Sequence, residues 1–108
     1  MTVKELKEKL NLKVLVEGDS ERTVDGCYCG DLLSWVMSRI NENDVWLTVM
    51  GNINSIAVCV LSDCSCIVLT ENATLDEDAK LKAEAMNIPV LQSEESTYSL
   101  AVKISKLL

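Results

Sequence analysis

The residues that offer chemistry in this chain are few, and thiols lead them. Cys27 and Cys29 form one C-x-C pair, Cys64 and Cys66 form a second, and Cys59 stands alone. On a strand, residues two apart point to one face, so each pair would present two thiols together. Soft thiolates suit zinc and iron–sulfur centres. Structural zinc sites, however, usually space their cysteines by two to four residues. These pairs also sit inside apolar, strand-like stretches, and free Cys is among the most buried residue types. The expectation is therefore five free thiols packed in a core, with no metal and no cofactor. An odd cysteine count behind the charged opening Lys4-Glu5-Leu6-Lys7-Glu8-Lys9 reads as the reducing cytosol, hence a cytoplasmic protein.

Other reactive groups are missing. The chain has no His, which removes the commonest general base and the commonest neutral metal ligand. A Ser-His-Asp triad and a Cys-His pair are both impossible. No G-x-x-x-x-G-K-[ST] occurs, and the four glycines at 18, 26, 30 and 51 cannot make G-x-G-x-x-G. The expectation is a non-catalytic protein.

What remains is binding, and binding needs loops held by elements. Thr2 and Glu5 form a capping box for a helix over Thr2 to Leu10, with Val3, Leu6 and Leu10 on one face. A strand follows over Leu12 to Val16, then a polar loop, Glu17 to Arg22. Val24 to Cys29 reads as a second strand. Leu32, Leu33, Val36, Met37 and Ile40 make a helical apolar stripe capped by Asp31. Val45 to Met50 is nearly all apolar, as expected of a strand covered on both faces, and Cys66 to Thr70 reads as the next buried strand. Between them, Ile56, Ala57, Val60 and Leu61 mark a helix. Thr74 and Glu77 suggest a second capping box before Leu75, Ala79, Ala83 and Met86. Asn87 and Pro89 end that helix. Val90-Leu91 is a short strand, and a last helix runs from about Ser96 to Leu107. This alternation implies right-handed βαβ units and a largely parallel sheet.

In open parallel sheets, ligands bind at the carboxyl ends of the strands, near helix N-termini that attract anions. The loops there are Gly30-Asp31, Gly51-Asn52-Ile53-Asn54-Ser55, Thr70-Glu71-Asn72 and Gln92-Ser93. Asp31, Gly51, Asn52, Asn54 and Ser55 are the chosen ligand-binding candidates, with Arg22 and Gly26 added as a loop cation beside a glycine. Against this stands plain helix capping, which every helix start requires. Trp46 falls in a buried strand. Trp35 lies off its helix's apolar stripe and is the candidate interface residue.

Composition narrows the partners. With 108 residues the chain suits one domain, 1–108, and a 48% apolar share suits one core. Two Trp, two Tyr and no Phe make that core aliphatic. A net charge of −7 with no basic cluster argues against nucleic acid. No apolar run reaches the ~18 residues that span a bilayer, so no membrane partner is expected.

The stretch Glu21-Arg22-Thr23-Val24-Asp25-Gly26-Cys27-Tyr28-Cys29-Gly30-Asp31-Leu32-Leu33-Ser34 resembles the DRTGG domain family. The resemblance continues through Trp46-Leu47-Thr48, Asn54-Ser55-Ile56-Ala57-Val58 and Ile88-Pro89-Val90-Leu91, and it covers nearly the whole chain, including the Val3-Lys4-Glu5-Leu6 helix. It implies an α/β domain like the N-terminal domain of HPr kinase/phosphorylase: three layers around a mostly parallel sheet of about five strands. It also implies a regulatory, dimerising or ligand-sensing role. Kinase activity is not implied, because it belongs to a separate P-loop domain. Arg22, Gly26, Tyr28, Asp31, Leu32 and Asn54 match the family pattern. The name-giving glycine pair is reduced to Gly26-Cys27, and Glu21 replaces the acidic Asp.

Two functions follow as expectations. One is a homodimeric sensor of a small anionic metabolite or nucleotide. The alternative is a protein–protein interaction or dimerisation module with no small-molecule ligand.

Overall fold

The computed structural model describes all of residues 1–108. The capping box at Thr2 forms as predicted: the Thr2 hydroxyl accepts from the Glu5 N–H, and the Glu5 carboxylate accepts from the Thr2 N–H. Helix α1 spans Val3–Leu10 and turns Val3 and Leu6 inward. Strand β1 (Lys13–Val16) follows, then β2 (Gly26–Cys29), α2 (Leu33–Arg39), β3 (Asp44–Thr48) and α3 (Ile53–Ser62). The remaining elements are β4 (Cys66–Leu69), α4 (Glu77–Met86), β5 (Val90–Gln92) and α5 (Thr97–Ser105). Asn11, Asp63 and Asn87 close α1, α3 and α4 in the left-handed conformation, where Asn and Asp are the best substitutes for glycine.

The five strands form one sheet in the order β1-β5-β4-β3-β2. β2 to β5 run parallel, and β1 joins the β5 edge antiparallel. Each crossover from β2 through β5 advances one strand. Right-handed crossovers then put α2, α3 and α4 on the same face. Their inward residues, Val36, Ile40, Ile56, Cys59, Ala79 and Ala83, meet Trp46, Ile67, Leu69 and Val90 of the sheet. The other face carries α1 and α5, whose Val3, Leu6, Leu100 and Ile104 cover Val45, Leu47, Val68 and Leu91. β3 and β4 are buried at every position, as their largely apolar sequence predicted, with Asp44 and Thr48 as the buried polar ends of β3. The result is the expected three-layer α/β fold with a mostly parallel sheet. No helix is long and apolar enough to cross a membrane.

Several local expectations are corrected. Asp31 does not cap α2; the cap position is Leu32. The Asp31 carboxylate instead accepts from the Thr48 hydroxyl at 2.7 Å and the Val49 N–H at 3.0 Å, tying β2's exit to the end of β3. The Thr74–Glu77 box does not form, because α4 starts at Glu77 after Asp76. In α3 the buried arc is Ser55, Ile56, Val58 and Cys59, so Ala57 and Leu61 face solvent. Helices on both flanks, α2 and α4, centre that arc a residue away from the apolar stripe. Leu32, Met37 and Met86 are likewise exposed rather than buried.

The thiols depart most from expectation. Only Cys66 is a buried free thiol. Cys59 and Cys64, with Cα atoms 5.1 Å apart across the α3–β4 turn, are disulfide-bonded rather than free. Cys27 and Cys29 are exposed. Their strand is the sheet edge, so the side chains on its α1/α5 face have no strand beyond them for cover.

Candidate functional site

The Asn72 and Ser93 turns that end β4 and β5 meet in a crevice. Its position follows from the topology. β4 leads into α4 on one face, whereas β5 leads into α5 on the other, so the two connections diverge. Such divergence opens the usual ligand cleft of an open α/β sheet. Antiparallel β1 brings its own start alongside, with Lys13 opposite Gln92.

The cavity there is the largest in the molecule, 630 Å³. Asn11, Lys13, Asn72, Gln92, Ser93 and Lys103 line it together with Glu94, Glu95 and a single apolar residue, Leu10. The two strand-end turns are tied to each other. The Glu71 N–H donates to the Glu95 carbonyl and the Asn72 N–H to the Ser93 carbonyl, each at 2.8 Å. Glu71 and Asn72 take left-handed backbone angles to do so, with φ of 55° and 57°. The Gln92 amide donates to the Ala73 carbonyl at 2.8 Å, and the Thr70 and Thr97 hydroxyls bond at 2.7 Å beneath the turns.

Charge in the crevice is divided. The Glu95 carboxylate accepts from Lys103 at 2.8 Å and from the Ser99 hydroxyl at 2.8 Å. Those two bonds hold its carboxyl below the ordinary carboxylate range. Lys103 is thereby engaged, while Lys13 makes no ion pair. A free ammonium and side-chain amides suit an anionic, hydrated ligand. The lining is too polar for a greasy one.

The residues chosen from sequence fall in two places. Arg22 and Gly26 lie at the amino ends of the parallel strands. Arg22 donates to the Asn43 side chain at 3.2 and 3.3 Å and to the Asp63 carbonyl at 2.6 Å, and it pairs with the Asp63 carboxylate at 2.8 Å. Gly26 is where a Cβ would come within 2.5 Å of the Asp44 carboxylate. Asp31, Gly51, Asn52, Asn54 and Ser55 gather at the opposite end, around the exits of β2 and β3. Most of their polar atoms are already used. Asn52 caps α3 through the Ser55 N–H, and the Ser55 hydroxyl donates to the Met50 carbonyl at 2.6 Å. The Gly51 carbonyl accepts from the Asp76 N–H at 2.8 Å, so close that any Cβ on Gly51 would collide with the Thr74 carbonyl. Only the Asn54 side chain is exposed and unbonded.

The crevice residues were partly visible in the sequence: Asn72, Gln92 and Ser93 lie in strand-end loops. Asn11, Lys13 and Lys103 carried no such signal. Their place follows from β1 pairing antiparallel beside β5, which no local pattern specifies.

The sequence also undervalued the thiols of β2. Cys27 and Cys29 are neighbours on the strand, and the mutual influence of the two thiols brings Cys29 down to about 7 while pushing Cys27 up. Burial pushes the Cys66 thiol up to about 12.

Comparison with known proteins agrees with this architecture. Residues 5–107 match the DRTGG domain. No curated protein matches the chain. Among solved structures, the CBS and DRTGG domains of the regulatory region of Clostridium perfringens pyrophosphatase, complexed with the activator diadenosine tetraphosphate, superpose with a TM-score of 0.75 at 13% identity. The match covers 99% of this chain and 47% of that one.

Proposed function

This chain belongs to the DRTGG domain family, and from that premise we propose that it is a cytoplasmic, homodimeric ligand-sensing module without a catalytic centre. Its ligand is a small anionic metabolite or nucleotide. The observation that carries this reading is the polar crevice between the ends of β4 and β5, with unpaired Lys13 on its wall. Support comes from a structural neighbour that is a regulatory region complexed with a nucleotide activator. An overall charge of −7 means that the anion must be drawn by local groups, which gives Lys13 its weight.

A thermal-shift titration with ATP, diadenosine tetraphosphate and acetyl phosphate tests this. A ligand at ~100 times its Kd adds about 2.7 kcal/mol, or about 12 °C for a chain of this length. Lys13→Ala should remove the shift, and Asn54→Ala should keep it. The reverse result would move the site to the Gly51–Ser55 loop. No shift with any of the three would refute the anion-sensor reading in favour of the interaction module.

One observation favours that second reading. Trp35 is 56% exposed, with the Arg39 guanidinium 4.1 Å above its ring, and Leu32 nearby in the sequence is 61% exposed. An exposed Trp–Arg stack is the composition of a binding hot spot. Trp35→Ala should shift the mass from dimer to monomer in light scattering. An unchanged mass would remove Trp35 from the interface.

A further inference from the structure

The edge strand β2 presents two exposed thiols, Cys27 and Cys29, to the same side. Their register partners Val45 and Leu47 both face the α1/α5 layer, so both thiols lie on that face of the sheet. They lie at the sheet edge opposite the crevice, which is beside β1 and β5. Nothing in the ligand-sensing reading uses them.

Geometry decides what such a pair can do. Two residues along a strand advance about 6.6 Å, at about 3.3 Å each. Their Cβ atoms, on one face, are similarly separated, whereas a disulfide needs roughly 3.5–4.5 Å. A direct bond would therefore require β2 to buckle out of its ladder with β3. Cys59 and Cys64 are bonded because a turn, not a strand, joins them. A bridging atom removes the difficulty. Two bonds of about 2.3 Å to thiolate sulfur span up to about 4.6 Å between the sulfurs. Side chains leaning toward each other on one pleated face can close to that gap, and both thiols are exposed on the same face.

The identity of the bridging atom follows from what surrounds the pair. There is no His in the chain, and no group of three His, Cys, Asp or Glu gathers anywhere. Cys66 lies in the Cys27 row but two strands away, across Val45, at about 9.6 Å. The Asp31 and Asp44 carboxylates are committed, to Thr48 and Val49 and to the Asn41 N–H respectively. Zinc needs four donors and is excluded as a closed site. A soft ion satisfied by two thiolates is not.

We propose that Cys27 and Cys29 form a two-thiolate site for a soft monovalent ion of the copper(I) class, bound at the free edge of the sheet. Binding releases the thiol protons and changes no oxidation state: two S–H bonds are replaced by two S–Cu bonds.

The test is anaerobic competition for copper(I), presented to the full chain as its coloured bathocuproine complex, without a disulfide reductant. Wild-type protein should withdraw one equivalent per chain. Cys27→Ser and Cys29→Ser should each abolish the withdrawal, and Cys66→Ser should leave it intact. Both serine variants alter exposed edge positions, and unchanged melting temperatures would confirm that they fold. The proposal is overturned if wild-type protein withdraws no copper, if either edge variant still withdraws a full equivalent, or if the loss follows Cys66. Half an equivalent per chain would also overturn it, because the site would then lie between two copies.

Discussion

Replacing Arg22 should damage stability rather than ligand binding. Its side chain is three-quarters buried, and the guanidinium joins Asn43 and Asp63, which precede β3 and β4. The ion pair adds little, because the Asp63 side chain is 59% exposed and surface pairs contribute about 0–1 kcal/mol. The hydrogen bonds contribute more: those involving a charged partner are each worth about 1.5–3 kcal/mol and are not additive. Arg22→Ala should therefore cost about 2–3 kcal/mol. Unfolding entropy of about 2.1 cal/mol/K per residue converts each kcal/mol into about 4 °C here, so the melting temperature should fall by about 9–13 °C. Asp63→Asn is the control. Asn tolerates the left-handed backbone at this position (φ 61°) and keeps the carbonyl acceptor. It should cost no more than about 1 kcal/mol, or about 4 °C. Arg22→Lys should recover less than half of the loss, since one ammonium cannot reproduce the planar fork. Scanning calorimetry on the three variants decides the matter. An Arg22→Ala protein that melts within about 2 °C of wild type would refute the structural role and return Arg22 to the ligand site.

Three further outcomes are expected. Carbamidomethylation of Cys29, followed by peptide mass spectrometry in metal-free protein, should rise with pH through a midpoint near 7. Cys27→Ala removes the neighbouring thiol that lowers Cys29 and should move that midpoint toward 9, while Cys66, pushed up to about 12 by burial, stays unmodified in the folded protein. Gly51→Ala places a methyl against the Thr74 carbonyl and should cost about 1–3 kcal/mol in urea unfolding; a neutral result would mean that the α4 approach yields freely. Acrylamide should quench Trp35 and spare Trp46, which is fully buried and donates its Nε1–H to the Gly30 carbonyl at 2.9 Å; a Trp35→Phe protein that is still strongly quenched would refute the burial of Trp46.

Periodicity and composition determined much of this protein. The Thr2–Glu5 capping box, the apolar runs of β3 and β4 and the βα alternation are local signals. Each rests on neighbouring residues, so each was legible without the fold. The parallel sheet followed from the alternation. The candidate site was legible only in part, since loops at strand ends can be named from sequence while the gap between two of them cannot. Asp31 and Asn52 both suit helix starts by type. Only the fold shows that one bonds to the end of β3 and the other caps α3.

Tertiary structure decided the rest. Strand order and direction are long-range: β1 is consecutive with α1 yet pairs with β5, and this alone brings Lys13 to Gln92. Edge position is long-range too. Cys66 and Cys27 are the same residue type in similar apolar strands, but β4 is covered on both sides and β2 is open on one. Burial depends on what packs alongside a strand, and the strand's own residues do not encode that. The side chains became core or surface only when the sheet order was set.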